Sequence, residues 1–239
     1  VTFPTWQSAG YGSTTWAATS GTSKNLLIPS GATVGHLAII VVGMNGLASN
    51  NATIAGWTRK AQTTLTGWGD TYCMHSIFWK KLAAGEPNTN AVITLAVQPR
   101  GGASIHTFAN AEVDSDPFVD LKSSESTTSA QPVLLSCVTT DAENALLTIV
   151  GTDTTTITAT EPAGFTRRHN GGTTNESGHV AVKENVGAGT NAHQWTLSAT
   201  NRNNEFLVAI KAAAAVTQAP ARPIMSDDRL VATQRSALF

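Results

Sequence analysis

The sequence predicts an all-β protein, a jelly-roll-like antiparallel sandwich assembled from two pseudo-repeated halves with an extended C-terminal arm. Three observations carry this expectation. Short apolar runs bounded by Gly, Pro, Asn and Asp dominate the chain, and few segments show a helical period. Thr, Ala, Gly, Asn and Ser make up much of the 239 residues, a mixture of strand-favouring and turn-favouring types. The first half of the chain also resembles the second.

The strand-like runs follow in order. Leu37–Met44 is almost wholly apolar, follows the turn-like Pro29-Ser30-Gly31, and reads as a buried strand. Tyr72–Lys80 carries large side chains on both faces. Ala91–Val97 and Ser104–Asn110 have strand length. In the second half the runs are Val133–Val138, Ala145–Val150, Gly178–Glu184, Gln194–Ala199 and Glu205–Ala212. Turn signals between short strands fit a sandwich or barrel.

Three pairs of segments carry the internal repeat. Ala55-Gly56-Trp57-Thr58-Arg59-Lys60 matches Ala163-Gly164-Phe165-Thr166-Arg167-Arg168, Ile93-Thr94-Leu95 matches Trp195-Thr196-Leu197, and His36–Ile40 aligns with Asn144–Thr148. The offsets are about 102 to 109 residues and the order is preserved. Four strands per half suggest two interlocked Greek keys around one shared core, since a half of this size with few aromatics buries little apolar surface alone. In each repeated turn Gly56 or Gly164 permits a tight bend, Trp57 or Phe165 is expected to plug the sandwich edge, and Arg59 or Arg167 is expected in solvent.

These elements divide the chain into an N-terminal segment or first strand over residues 1–25, a sandwich over 26–212 with halves at about 26–112 and 130–212, and an arm over 213–239. Trp6, Tyr11 and Trp16 favour a core-packed first strand over a free arm. At the other end, Pro220 and Pro223 mark an extended linker. The last residues present apolar anchors at Leu230, Val231, Leu238 and Phe239, expected to dock on a partner.

Composition narrows the function. Charged residues are 13% of the chain, against about 25% in an average domain, and the formal net charge is −1. No basic stripe is present, so no nucleic-acid partner is expected. No apolar run is long enough for a membrane helix, and Val1–Gly12 lacks the pattern of a secretory signal. Cys73 and Cys137 lie in apolar runs and read as buried thiols, or as a disulfide in an oxidising compartment.

No catalytic pattern emerges. None of the six histidines is spaced as a metal motif. His75, His106 and His179 fall in strands. Asp114, Asp116 and Asp120 offer an Asp-x-Asp spacing without the Gly and distal Glu of a calcium loop, and read as solvated. Glu86, Glu112, Glu161 and Glu184 have no supporting motif. The expectation is a protein without enzymatic activity, cofactor or metal. A glycan-binding module is the alternative, with Trp6, Trp16, Trp68 or Trp195 as stacking faces.

Ile28-Pro29-Ser30-Gly31 leading into His36–Ile40, then Ala55-Gly56-Trp57-Thr58, Phe78–Pro87 and Pro162–Arg168, resembles a group of β-sandwich structural proteins of tailed bacteriophages. His36 stands where that pattern commonly has Asp. The resemblance covers about residues 25–212 and leaves out the arm. It implies a capsid decoration (cement) protein on the virion surface, bound to the major capsid protein or other virion proteins as a homo-oligomer, a trimer being one such form. A tail or fibre component is the second implied role.

Overall fold

The computed structural model describes residues 2–16, 21–46, 51–64, 72–96, 100–140, 142–152, 156–171 and 177–214. The described residues form antiparallel sheets and contain no helix. The arm anchors Leu230, Val231, Leu238 and Phe239 lie outside the described residues, as does Trp68.

The first half supplies β1 (Thr5–Trp16), β2 (Ser23–Leu27), β3 (Leu37–Gly46), β4 (Ala52–Ile54), β5 (Thr58–Thr64), β6 (Tyr72–Lys81), β7 (Asn90–Leu95) and β8 (Arg100–Ala109). The second supplies β9 (Phe118–Ser129), β10 (Leu135–Thr139), β11 (Asn144–Thr152), β12 (Ala159–Thr160), β13 (Thr166–Asn170), β14 (Ser177–Val186), β15 (Gly189–His193), β16 (Thr196–Leu197) and β17 (Asn201–Lys211). Each half forms one five-stranded sheet, in the orders β1-β8-β3-β6-β5 and β9-β17-β11-β14-β13. Against its outer face lies a small sheet, β2-β7-β4 in the first half and the pairs β10-β15 and β12-β16 in the second.

The two orders are the same order, so the sequence repeat is a structural duplication. Leu37 pairs with Phe108 as Ala145 pairs with Ile210, and Gly43 pairs with His75 and Gly102 as Gly151 pairs with Gly178 and Asn204. His75 is therefore the counterpart of Gly178, and Gly102 of Asn204.

The halves do not interlock. Within the five sheets every strand pairs only with strands of its own half. The expected shared core is one of three apolar clusters. One joins Leu26, Ile40, Phe78 and Ile93 inside the first half, and another joins Leu146, Phe165, Trp195 and Leu207 inside the second. The third lies between the large sheets, where Ile39, Ile77 and Phe108 meet Leu147, Val180 and Phe206. The central strands β3 and β11 face apolar layers on both sides, which is why they read as unbroken apolar runs.

Several sequence expectations shift. The N-terminal segment is the edge strand β1. The second half begins with β9 at Phe118, ahead of the expected 130, because Lys122–Ser126 is polar and partly exposed, as an edge strand tolerates. Gln194–Ala199 shrinks to the two residues of β16. In the repeated turns only Ala55-Gly56 and Ala163-Gly164 bend, and Thr58 and Thr166 already begin strands. Gly56 and Gly164 sit at φ 77° and 81°, the left-handed region that glycine enters without strain.

Candidate functional site

Phe165 is buried in its half's core and Trp57 packs half-buried against the other, as the plug reading expects. Arg167 departs from expectation. It is half-buried, bonds Glu161 at 2.7 Å, and lies 5.8 Å from the ring of the fully buried Trp195. Trp16 is also buried. These two tryptophans therefore offer no open stacking face for a sugar.

The carboxylates singled out from sequence are each engaged by a protein partner. Asp116 pairs with Lys60, Asp114 with Lys81 at 2.6 Å, and Asp120 with Lys122 at 3.0 Å. Glu86 pairs with Lys80 and accepts from the Ala83 amide at 2.7 Å. Glu112 accepts from the amides of Val113, Asp114 and Ser115. Glu184 accepts the Trp6 amide at 2.9 Å. Among the described residues no three of His, Cys, Asp and Glu converge to hold a metal ion.

The polar chemistry concentrates instead in the seam between the two large sheets. His75 and His106 project into it from the first half, whereas His179, on the opposite face of β14, packs beside Trp195 in the second half's own core. His106 Nδ1 accepts from Trp6 Nε1 at 3.3 Å, and its Nε2 lies 2.9 Å from Ser104 Oγ. His169 of β13 meets the Tyr11 hydroxyl of β1 at 2.6 Å, tying the two halves together. Burial lowers His75 and His169 to about 4, and burial with the nearby His169 and Arg168 lowers His106 to about 3. All three imidazoles are neutral at pH 7.

A cleft opens at one end of this seam. It is lined by His75, His169, Ser104 and Thr14 and by Gly43, Gly102 and Gly178. His75 reaches across to the other half over Gly43, where a Cβ would sit 2.7 Å from its Nε2. Its ring lies so close over Gly151 that a Cβ there would sit 1.9 Å from His75 Cε1. The Asn204 side chain hydrogen-bonds it.

Two further buried groups lie in the second half, of which only Glu205 escaped the sequence reading. Glu205 of β17 is fully buried with neither carboxyl oxygen hydrogen-bonded, and burial raises it to about 8. The polar Asn203 and Asn204 before it made it read as the start of the strand. Cys137 is a buried free thiol that bonds the Leu207 carbonyl at 3.4 Å, and burial, seconded by Asp120, pushes it up to about 12. The Cys73 side chain lies outside the described residues.

Fold and seam define a duplicated antiparallel β-sandwich, two five-stranded sheets face to face, with one small sheet outside the first and two strand pairs outside the second. No protein-family model, no curated protein and no solved structure matches the chain.

Proposed function

We propose that the protein is a non-enzymatic structural component of a bacteriophage particle, a capsid decoration protein that binds the major capsid protein and stabilises the shell. The observation that carries this reading is the apolar surface on the outer layers. Leu27 on β2, Val92 on β7 and Val138 on β10 are exposed, as are Val133 and Leu134 just before β10, Leu134 at 60%. The chain itself carries few charges, 13% of its residues. Such a surface suits lasting contact with another protein, and full burial of one large apolar side chain contributes about 1.5–3 kcal/mol. The sequence resemblance to tailed-phage sandwich proteins supports the same reading.

Immunogold microscopy with an antibody against the sandwich tests it. Label is expected over the heads of source particles. Label on tails alone moves the protein to a tail or fibre role, and particles without label overturn the virion reading. Leu134→Asp with Val138→Asp is expected to lower occupancy on the head while leaving circular dichroism unchanged. Deletion of residues 220–239 is expected to lower it as well, and full occupancy after deletion removes the arm from the contact.

A further inference from the structure

One corner of each half's inner core differs in polarity across the duplication. In the first half, Met44 of β3 pairs with Gly101 of β8, and Gly101 pairs with Trp16 of β1. Trp16, Met44 and Ala103 belong to one apolar cluster there. In the second half Thr152 stands for Met44, Asn203 for Gly101, Ser126 for Trp16 and Glu205 for Ala103. The corner that is apolar in one half is polar in the other.

Side-chain oxygens without a hydrogen-bond partner among the described residues meet in this polar corner. Asn203 and Glu205 alternate along β17 with Asn204 and Phe206, which face the seam, so both face the second half's own core, as Leu207 does. Both are fully buried. Asn203 Nδ2 donates to the carbonyls of Asn201 at 3.1 Å and Ser129 at 3.3 Å, which leaves Oδ1 as a bare acceptor. Neither Glu205 oxygen has a partner, nor does the buried Ser124 Oγ, directly opposite Glu205 on β9. Opposed residues hold their Cβ atoms about 4.5–5.5 Å apart, and residues two apart on a strand lie about 6.6 Å apart. One ion can therefore touch all three side chains.

From these convergent oxygens we propose that Ser124, Asn203 and Glu205 bind one alkali-metal cation. A carboxylate, an amide oxygen and a hydroxyl are ligands of a hard cation. Charge selects its valence. A buried carboxylate needs one compensating positive charge, and a divalent ion would leave a surplus in the core. Neighbouring side chains do not supply that charge. Lys122, on the same face of β9 and two residues from Ser124, is held by Asp120 at 3.0 Å. His179, beyond Val150 in the same cross-strand row, is lowered to about 4 by burial and then by Arg167, so it is neutral at pH 7. Without the ion the Glu205 carboxyl keeps its proton at neutral pH, burial having raised it to about 8. No metal-motif spacing announces the site, because two ligands are neutral and Ser124 comes from another strand.

The test uses the full chain in choline chloride at pH 7, titrated with NaCl or KCl at constant ionic strength. The carbon-13 resonance of the Glu205 carboxyl, assigned through its bonded carbons, reports ionisation at that residue, and thermal unfolding reports stability. At least one alkali salt is expected to convert the carboxyl from protonated to ionised with saturation, and to raise the unfolding midpoint in step. Glu205→Gln should abolish the salt-specific rise. Ser124→Ala, at a half-buried edge position, should weaken the apparent affinity several-fold while leaving the remaining spectrum in place. A carboxyl that stays protonated in both NaCl and KCl overturns the proposal, and so does a midpoint rise that survives in Glu205→Gln. If that variant does not fold, unchanged affinity in Ser124→Ala overturns it instead. A response to CaCl2 without one to either alkali salt overturns it as well.

Discussion

The Arg168 guanidinium carbon of the second half lies 4.3 Å from the ring centroid of Trp6 in the first. The duplication repeats this contact in reverse. Lys60 of the first half, the counterpart of Arg168, stands 5.4 Å from the ring of Phe118, the counterpart of Trp6. Lys60 and Arg168 both fall where the edge strands β5 and β13 slip register against β6 and β14. A bulge re-aims the extra residue, here toward the opposite sheet. Two cation–π contacts thereby clamp both edges of the seam.

Arg168→Ala is expected to lower stability by about 1–2 kcal/mol, since a partly desolvated cation over tryptophan is worth that much. Lys60→Ala should cost about 0.5 kcal/mol, because the distance is longer and phenylalanine is the weaker partner. Urea unfolding of both variants, with a double-mutant cycle on Arg168 and Trp6, measures the difference. Equal effects from the two sites would contradict the geometry.

Gly151→Ala places a methyl inside the His75 ring and is expected to cost about 1–3 kcal/mol by overpacking. In a His75→Gly background the same change should cost much less, because the clashing ring is gone. Gly178→Ala, on the open side of the seam, should be nearly neutral. Thermal unfolding of the three variants reads the contrast directly.

The seam histidines predict acid sensitivity. His75, His106 and His169 titrate at about 4, 3 and 4 in the folded protein, below the 6.5 of a free histidine. Between those values the unfolded chain binds more protons than the folded one. Stability is therefore whole above pH 6.5 and falls as the pH drops, by about 1.4 kcal/mol per pH unit for each such histidine. Urea midpoints recorded from pH 7 to pH 4.5 should decline, and His106→Asn should flatten the slope.

Glu205 acts with the opposite sign. Its folded value of about 8 lies above the ordinary 4.5, so its favourable contribution is present at low pH and is lost as the pH rises toward 8. Glu205→Gln keeps the shape without the ionisable proton. The variant is expected to gain on the parent protein as the pH climbs from 5 to 8, by about 1.4 kcal/mol per unit at most. A parallel pH profile would show that the carboxyl is already ionised when folded.

The Cys137 thiol, raised to about 12, has almost no thiolate at neutral pH. It should resist a thiol reagent such as dithionitrobenzoate in the native protein and react at once in guanidinium. Native-state labelling at Cys137 would place that strand nearer to solvent than the structure does.

The sequence by itself determined the fold class, the duplication and the turns. The runs around Ile40 and Leu147 announce buried strands because both faces of a central strand meet apolar layers. The Gly56 and Gly164 turns repeat because both halves make the same bend. Edge strands such as β9 were not legible, since one open face and one free edge leave their composition close to that of a loop. Tertiary structure alone decided that the halves stack without interlocking, because both arrangements demand the same alternation along each strand. It alone brought His75 onto Gly151, left Gly178 facing an open cleft and set Arg168 on Trp6. Those contacts join residues far apart in the chain, and sequence periodicity reports which face a side chain occupies without reporting what lies across from it.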